Sequence, residues 1–286
     1  MKKLFILFSI AATILSACKK QDEEPKVPVH TATTGEANSI TSTSAVVGAF
    51  IKASDGSAFI ASGICWSTSH NPTSSLLTKI TWGGGNMDNF GTITGLSLQT
   101  TYYVRSFVTN ATGTFYGNEI QFTTILEIGS LTNGGIVAYI LQQGDLGYDA
   151  HVQHGLVAAP SDQSSSIVWS PTATLIATTS SSLGSGQINT TAIITNQGDG
   201  DYAAKLCDDL TLNGYSDWYL PSADELDKLF ILYQNLQTTI GFDYTLNYWS
   251  SSQYDTNGAW SQKFNSGTKG SNTKLNTYAV RAVRSF

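Results

Sequence analysis

Charged residues are scarce in this chain: they make up 13% of its 286 residues, about half of the usual share. The chain has 15 basic and 21 acidic residues and a formal net charge of −6, and it contains no basic run. It therefore lacks the electrostatic surface on which most nucleic-acid-binding proteins depend. Serine, threonine, asparagine and glycine must supply the polar surface instead, which is typical of exported β-rich proteins.

Cysteine is also scarce, with three residues in the chain. Cys65 and Cys207 fall in two different predicted domains, so we expect each to be a small buried apolar side chain without a disulfide partner. The sequence contains no G-x-S-x-G, P-loop or H-E-x-x-H pattern. We therefore predict no enzyme activity, no catalytic residue, no cofactor and no metal site.

Long apolar runs are absent except for residues 4–14, which follow two lysines and are too short to span a bilayer. The next residues, Leu15-Ser16-Ala17-Cys18, resemble the lipobox of bacterial lipoproteins. The resemblance implies a signal peptide over 1–17 and a lipid, such as palmitate, on Cys18 after cleavage. We therefore predict an outer-membrane lipoprotein exposed at the cell surface. An ordinary secretory signal that contains a cysteine is the alternative.

Residues 18–28 are predicted to be the lipidated cysteine and a linker. The acidic run Asp22-Glu23-Glu24 resembles surface-export signals of some Gram-negative lipoproteins, and a solvated linker explains it equally well. Removal of residues 1–17 leaves 13 basic and 21 acidic residues, a net charge of −8. The predicted partners are a membrane, through the lipid anchor, and an extracellular ligand, but not nucleic acid.

Residues 29–125 are predicted to form an all-β sandwich, because short apolar runs alternate with turn residues and no helical pattern occurs. The predicted strands are 45–51, 61–66, 90–94, 101–109 and 117–123. Gly95-Leu96, followed by Thr100-Thr101-Tyr102-Tyr103-Val104-Arg105, resembles the corner and following strand of fibronectin type III domains. The resemblance implies that the Tyr102 hydroxyl bonds to nearby backbone while the ring packs inward.

Alternation along this strand predicts that Tyr102, Val104 and Val108 face the core. It predicts that Tyr103, Arg105 and Phe107 face away from it. The expected role of the sandwich is that of a spacer that presents another domain. A binding role for exposed Tyr103 and Phe107 is the alternative.

The sequence pattern of residues 126–286 differs from that of residues 29–125. Apolar runs at 134–140 and 155–160 predict strands. Residues 161–198 are rich in Ser, Thr, Gly and Gln and are predicted to be long irregular loops. A helix is predicted over 202–210, capped by Asp199 or Asp201. A second helix is predicted from the capping box of Ser222 and Glu225 and from a stripe of apolar residues that follows it: Leu226, Leu229, Phe230, Tyr233 and Leu236.

Four motifs then occur in the order of one bacterial family: 217–222 with Glu225-Leu226, 248–252, Ala259-Trp260, and 280–284. They resemble the C-terminal domain of the Legionella collagen-like protein. That family is similar to C-type-lectin-like folds and to the formylglycine-generating enzyme fold. The overall fold class is therefore predicted to be mixed: a fibronectin-like β-sandwich over 29–125 and an α+β C-type-lectin-like domain over 126–286.

The large residues of these motifs are interpreted as structural. Trp218, Trp249 and Trp260 are predicted to anchor a loop-rich core. Arg281 and Arg284 are three positions apart on a strand, so they are predicted to point to opposite faces. One is expected to be buried against a carboxylate such as Asp217 or Glu225, and the other exposed.

A zinc site, a calcium site and an oxidase activity are three alternatives that the sequence supports less well than a structural role for these residues. His151 and His154 lie near Asp145 and Asp149, but a zinc site needs further ligands at suitable spacing. Carboxylates at 199, 201, 208 and 209 suit calcium, although solvated helix caps explain them as well. Formylglycine-generating activity uses a pair of cysteines, and this domain has only Cys207.

Recognition is therefore the predicted function, and residues 253–278 are the predicted binding region because they place adaptable polar groups between fixed tryptophan and arginine motifs. The ligand is expected to be a glycan first and a protein second. A structural component of the envelope or of an adhesive fibre is a further alternative. The predicted ligand-binding residues are Tyr254, Asp255, Asn257, Gln262, Lys263, Asn265, Thr268, Asn272 and Asn276.

Overall fold

The computed structural model describes residues 30–53, 58–85, 88–176, 178–236 and 241–286. Within these ranges the fold is mostly β-sheet with three helices. The predicted signal peptide, Cys18 and the linker lie outside the described residues. No helix in the described ranges is long and apolar enough to cross a membrane.

The first half of the chain forms two antiparallel sheets that share a core. One sheet has the strand order β1-β2-β5 and the other β4-β3-β6-β7. Their facing residues include Val47, Ile64, Ile93 and Val104, all fully buried. The strand bounds are β1 (His30–Asn38), β2 (Ser44–Ala53), β3 (Ala61–Ser67), β4 (Lys79–Gly83), β5 (Asp88–Thr94), β6 (Thr101–Asn110) and β7 (Gly113–Thr123).

All five strands predicted in this half are present, but β1 and β4 were not predicted. Neither carries the strong apolar alternation that marks a strand in sequence: β1 buries only His30 and Thr34, and β4 has no fully buried residue. Both lie at the edge of their sheets, where one side of the backbone is unpaired.

The Tyr102 corner has the predicted geometry. Its hydroxyl accepts a hydrogen bond from the Ser97 backbone N–H at 2.9 Å. Its ring is 8% exposed and stacks against Phe122. A bond between the hydroxyl and the backbone therefore fixes the turn that leads into β6.

Phe107 was predicted to be exposed on the outer face, and that prediction is wrong. It lies on the face opposite to Val104 and Val108, as the alternation predicts, but it is only 3% exposed. Its ring lies over Gly63, where a Cβ would come within 2.6 Å of it, and packs with the Tyr116 ring at 6.5 Å between centroids. Alternation predicts which face a residue is on, but not whether neighbours cover that face. Phe107 is therefore not available for binding.

The second half contains two further sheets. One has the order β16-β10-β9-β8 and the other β11-β15-β12-β13-β14, in which only the β12–β15 pair is parallel. The strand bounds are β8 (Leu131–Thr132), β9 (Gly135–Ile140), β10 (Gly155–Ala158), β11 (Ser164–Val168), β12 (Asn247–Gln253), β13 (Gly258–Lys263), β14 (Lys269–Thr273), β15 (Thr277–Val280) and β16 (Val283–Ser285).

Three helices accompany these sheets: α1 (Gly186–Gln197), α2 (Ala203–Asp208) and α3 (Ala223–Leu236). The α3 capping box forms as predicted, because Ser222 Oγ accepts from the Glu225 N–H at 3.2 Å and Glu225 Oε2 accepts from the Ser222 N–H at 2.7 Å. The α2 helix begins after Tyr202 without a side-chain cap, so the predicted Asp199 or Asp201 cap is wrong.

The prediction of irregular loops over 161–198 is wrong in two places, because this stretch contains β11 and α1. The α1 helix has no side-chain cap, and its buried positions include Asn189 and Thr190 as well as Ile193. Asn189 bonds to Ser180 and to Ser251, and Thr190 bonds to the backbone of Leu220. Polar residues that pack through hydrogen bonds do not produce an apolar stripe in the sequence.

The five-stranded sheet lies between α1 and α3. Adjacent residues of β12 point to opposite faces, so Trp249 packs with Ile193 of α1 while Tyr248 packs with Leu226 and Leu229 of α3. Trp218 and Trp249 are buried as predicted.

Cys65 and Cys207 are buried free thiols, and burial raises the pKa of Cys65 to about 11. The boundary between the two predicted domains stays a prediction, although their core clusters share no residue.

The two arginines of the last motif are both buried, which corrects the prediction that one is exposed. Arg281 is fully buried, and its Nε donates to Asp162 Oδ1 at 2.6 Å, so its carboxylate is neither Asp217 nor Glu225. Arg284 is 8% exposed and makes a bidentate pair with Asp217 at 2.7 and 2.8 Å, so the predicted burial of one arginine against Asp217 is confirmed.

Candidate functional site

The hairpin of β13 and β14 carries most of the predicted ligand-binding residues. Five residue pairs connect the two strands, from Gly258 with Thr273 to Gln262 with Lys269. Because successive residues of a strand point to opposite faces, Ser261 and Asn272 share one face, and Trp260 and Lys269 share the other. The two faces of one hairpin therefore present different chemistry.

The first face contains an open cavity of about 350 Å³, named here the polar pocket. Its lining carries amide, hydroxyl and ammonium groups and no carboxylate. A pocket of this composition suits a ligand that is rich in hydrogen-bonding groups and is neutral or anionic. The lining residues are Asn247, Ser261, Lys263, Ser266, Thr268, Gly270 and Asn272.

The Asn272 amide is held in one orientation in this pocket. Its Nδ2 donates to Ser261 Oγ at 2.9 Å, and its Oδ1 accepts from the Tyr278 hydroxyl at 3.0 Å. The Tyr278 ring in turn packs against buried Trp249 at 4.5 Å between centroids. By contrast, Asn247 Oδ1 is buried without a hydrogen-bond partner among the described residues. The pocket therefore combines a preorganised amide with an acceptor that has unused capacity.

Only some of the predicted ligand-binding residues meet at this pocket. Lys263, Thr268 and Asn272 line it, and Asn276 reaches the same Tyr278 hydroxyl at 3.4 Å. Asn265 is exposed in the turn between β13 and β14. The remaining exposed residues lie in the turn between β12 and β13, at the opposite end of the hairpin: Tyr254, Asp255 and Asn257.

Gln262 was predicted to bind ligand, but it is 1% exposed. Its Nε2 donates to Asp227 Oδ1 of α3 at 2.9 Å and to the Gly267 carbonyl at 3.2 Å. Its Oε1 is buried without a partner in the described part of the chain. Gln262 therefore ties the hairpin to α3 and leaves one acceptor unused.

Trp260 was predicted to be a core anchor, but it is only partly buried. The ring of Tyr254, itself 58% exposed, is perpendicular to the Trp260 ring, with 5.3 Å between the centroids. Lys269 lies on the same face and pairs with Asp227 at 3.2 Å. We name this surface the aromatic cleft, and its members are Tyr254, Trp260, Gln262, Lys269 and Asp227.

Lys274 is a buried cation that the sequence did not reveal. It is 1% exposed, and its Nζ donates to Thr174 O at 2.6 Å, Thr256 O at 2.9 Å and Gln253 Oε1 at 3.0 Å. Its charge also lies over the Trp169 ring. Burial lowers the pKa of Lys274 to about 8. A lysine in a polar turn looks solvated in sequence, so no local signal predicts this placement.

The chemical alternatives gain no support from the geometry. No group of three or more His, Cys, Asp or Glu is close enough to hold a metal within the described ranges. His154 Nδ1 contacts the Phe286 carbonyl at 3.2 Å. Cys207 is fully buried among apolar residues, and this burial raises the pKa of its thiol. A buried neutral thiol is inert, so Cys207 is not placed for oxidase chemistry.

The polar pocket and the aromatic cleft both belong to a segment with a known family pattern. Residues 159–284 match the model of the Lcl C-terminal domain. The resemblance to this family is confirmed for that segment, which spans less than half of the chain. It includes β11 to β15, all three helices and every predicted ligand-binding residue. No curated protein matches the chain.

Solved structures give weaker likenesses. A fimbrial protein from Bacteroides ovatus is 15% identical over 78% of this chain and 63% of its own, with a TM-score of 0.39. The adhesin InvE of Yersinia pseudotuberculosis is 13% identical over 91% of this chain and 70% of its own, with a TM-score of 0.31. The sensor domain of the anti-sigma factor RsgI4 of Pseudobacteroides cellulosolvens is 21% identical over 34% of this chain and 94% of its own, with a TM-score of 0.28. These scores are too low to support a shared fold or function.

Proposed function

We propose that this protein is a lipid-anchored adhesion protein of the cell surface that binds a ligand in the polar pocket of its Lcl C-terminal domain segment. A glycan is the first choice of ligand and a protein the second. In this proposal the N-terminal half is a fibronectin type III-like spacer, and the C-terminal half has a C-type-lectin-like fold. The Cys18 lipid holds the chain at the outer membrane.

The observation that carries this proposal is the composition of the polar pocket. It has the size of a small-ligand site and is lined by hydroxyl, amide and ammonium groups. The Asn272 amide is fixed by two hydrogen bonds, so little conformational entropy is lost when a ligand binds to it. Polyhydroxylated ligands are recognised by such fixed donors and acceptors. The two-sheet fold of the first half supports a spacer role, because it lies in the chain between the predicted lipid site and the pocket residues.

Replacing Asn272 with Ala is expected to weaken ligand binding at least about tenfold, because the variant removes a fixed amide whose loss leaves polar ligand groups unpaired. Lys263→Ala is expected to have a similar or smaller effect. The measurement is a glycan array and a mucin-adhesion assay with the full-length chain in detergent. Lys52→Ala, at an exposed position on β2, is the matched control. Binding that is equal in the Asn272→Ala and control proteins would contradict this pocket as the site, and absence of any adhesion would favour a structural envelope component.

Cys18→Ala is expected to abolish incorporation of labelled palmitate and to release the protein from the membrane fraction. The measurement is metabolic labelling followed by fractionation of cells that express the full-length chain. Cys65→Ala is the control, because this thiol is buried in the sandwich. Continued labelling of Cys18→Ala would refute the lipid anchor.

A further inference from the structure

The aromatic cleft lies on the hairpin face opposite to the polar pocket, and its central residue is unusual for a surface. Trp260 is only partly buried, whereas Trp218 and Trp249, the tryptophans of the neighbouring motifs, are fully buried. The rings of Tyr254 and Trp260 are perpendicular, with 5.3 Å between their centroids. A large aromatic side chain that a neighbouring ring restrains and that is not fully covered provides an apolar platform.

The rim of this platform is polar and electrically balanced. Lys269 pairs with Asp227 at 3.2 Å, and Gln262 Nε2 donates to the same carboxylate. The paired charges cancel, so the cleft does not attract a polyanion or a polycation. Lys269 also disfavours a quaternary ammonium ligand, which aromatic side chains otherwise bind. What remains is a neutral ligand that has both an apolar face and hydrogen-bonding groups.

A small recess lies at the base of the platform. It is lined by Trp260, Gln262 and Lys269 among others, and its free volume is about 10 Å³, close to the volume that one water-sized group requires. Gln262 is 1% exposed and belongs to this lining, and its Oε1 has no partner among the described residues. A buried acceptor without a donor costs stability unless a water or a ligand group satisfies it.

We infer that the aromatic cleft is a second binding site, specific for an uncharged pyranose. The apolar face of the sugar ring stacks on Trp260, one hydroxyl enters the recess and donates to Gln262 Oε1, and a neighbouring hydroxyl bonds to the Lys269–Asp227 pair. Because the cleft and the polar pocket lie on opposite faces of the hairpin, this site acts independently of whatever the pocket binds.

The test uses the full-length chain in detergent and five defined probes: cellohexaose, laminarihexaose, maltohexaose, mannohexaose and xylohexaose. Binding is measured by saturation-transfer NMR and by the change in tryptophan fluorescence. We expect at least one hexaose to bind. We expect Trp260→Ala to weaken it about tenfold or more, and Trp260→Phe, which keeps a stacking ring, to weaken it no more than about threefold. Hexagalacturonate is the charged comparison and should bind more weakly than the best neutral hexaose.

Asn272→Ala serves as the matched control, because it changes only the opposite face. It should leave hexaose binding unchanged, and Trp260→Ala should leave pocket-dependent adhesion unchanged. The inference is overturned if none of the hexaoses binds, or if Trp260→Ala binds them as wild type does while its thermal unfolding is normal. Neither result affects the polar pocket, whose test depends on Asn272.

Discussion

Replacing Arg281 with methionine is expected to destabilise the C-terminal half by about 3–5 kcal/mol, because it leaves two backbone carbonyls without this donor and leaves the Asp162 carboxylate, whose side chain is 17% exposed, without its cation and with only the Tyr248 hydroxyl as a donor. Arg281 is fully buried. It donates to Asp162 Oδ1, Ala159 O and Gly241 O at 2.6, 2.9 and 2.7 Å, and its guanidinium lies 3.8 Å from the centre of the Phe242 ring. This single side chain therefore joins the segment before β11, the segment after α3 and the last strands.

The measurement is urea unfolding of the full-length chain followed by tryptophan fluorescence, since four of the six tryptophans lie in this half. Arg284→Met is the matched control. Arg284 also pairs with a carboxylate, but the Asp217 side chain is 55% exposed, so water can solvate it once the partner is lost. We expect that variant to lose about 1 kcal/mol.

A second variant separates the buried pair from a general packing defect. In the double variant Arg281→Met with Asp162→Leu, no unpaired carboxylate remains, so part of the lost stability should return. If Arg281→Met costs less than about 1 kcal/mol, the buried arginine does not connect these segments as described. If the double variant is less stable than the sum of the single variants, the loss comes from packing and not from the unpaired charge.

Local features of this fold could be predicted from sequence, because the residues that make them are neighbours in the chain. The α3 capping box joins Ser222 and Glu225, and the Tyr102 corner joins residues five positions apart. In both cases a side chain forms a hydrogen bond with a backbone group a few residues away, and this bond does not depend on distant parts of the protein.

Features that depend on distant partners could not be predicted in the same way. The Arg281 carboxylate proved to be Asp162, which is 119 positions away, and no spacing rule selects it over Asp217 or Glu225. Similarly, alternation correctly separates Trp260 from Ser261, but it does not say which face a helix covers. The α3 helix covers Tyr248 fully, whereas Trp260 on the same face of the sheet is only partly buried.

In the candidate site, too, local features could be predicted from sequence and features that depend on distant segments could not. The sequence predicted a polar region over 253–278, and Lys263, Thr268 and Asn272 do line one pocket. It did not predict that the two faces of the hairpin differ. It also did not predict that Gln262 and Lys274 are buried, or that Lys274 donates hydrogen bonds to Gln253 and Thr256 beside this region. Both placements depend on packing against other segments.

Replacing Lys274 with methionine is expected to lower the free energy of unfolding at pH 7 by about 2 kcal/mol, because the variant leaves carbonyl oxygens of Thr174 and Thr256 without a donor. The same change should loosen the turn that carries Tyr254, since Thr256 and Gln253 both belong to that turn or border it. The matched control is Lys263→Met, which changes an exposed lysine on the same hairpin. Urea unfolding gives the stability, and hydrogen exchange of residues 254–257 reports on the turn.

The pH dependence of this difference tests the buried cation directly. Lys274 has a pKa of about 8 in the folded chain, because burial disfavours its charge, against 10.5 for a solvated lysine, and Asp255 opposes the shift. Between these values the unfolded chain binds the proton and the folded chain does not, so the free energy of unfolding rises with pH. Relative to Lys274→Met, wild type should therefore gain about 2 kcal/mol between pH 7 and pH 9.5. All other titratable groups are the same in both proteins and cancel in the comparison. If the difference in the free energy of unfolding between wild type and Lys274→Met stays constant over this range, Lys274 titrates as a solvated lysine. Its ammonium group would then not be buried among the three carbonyl oxygens.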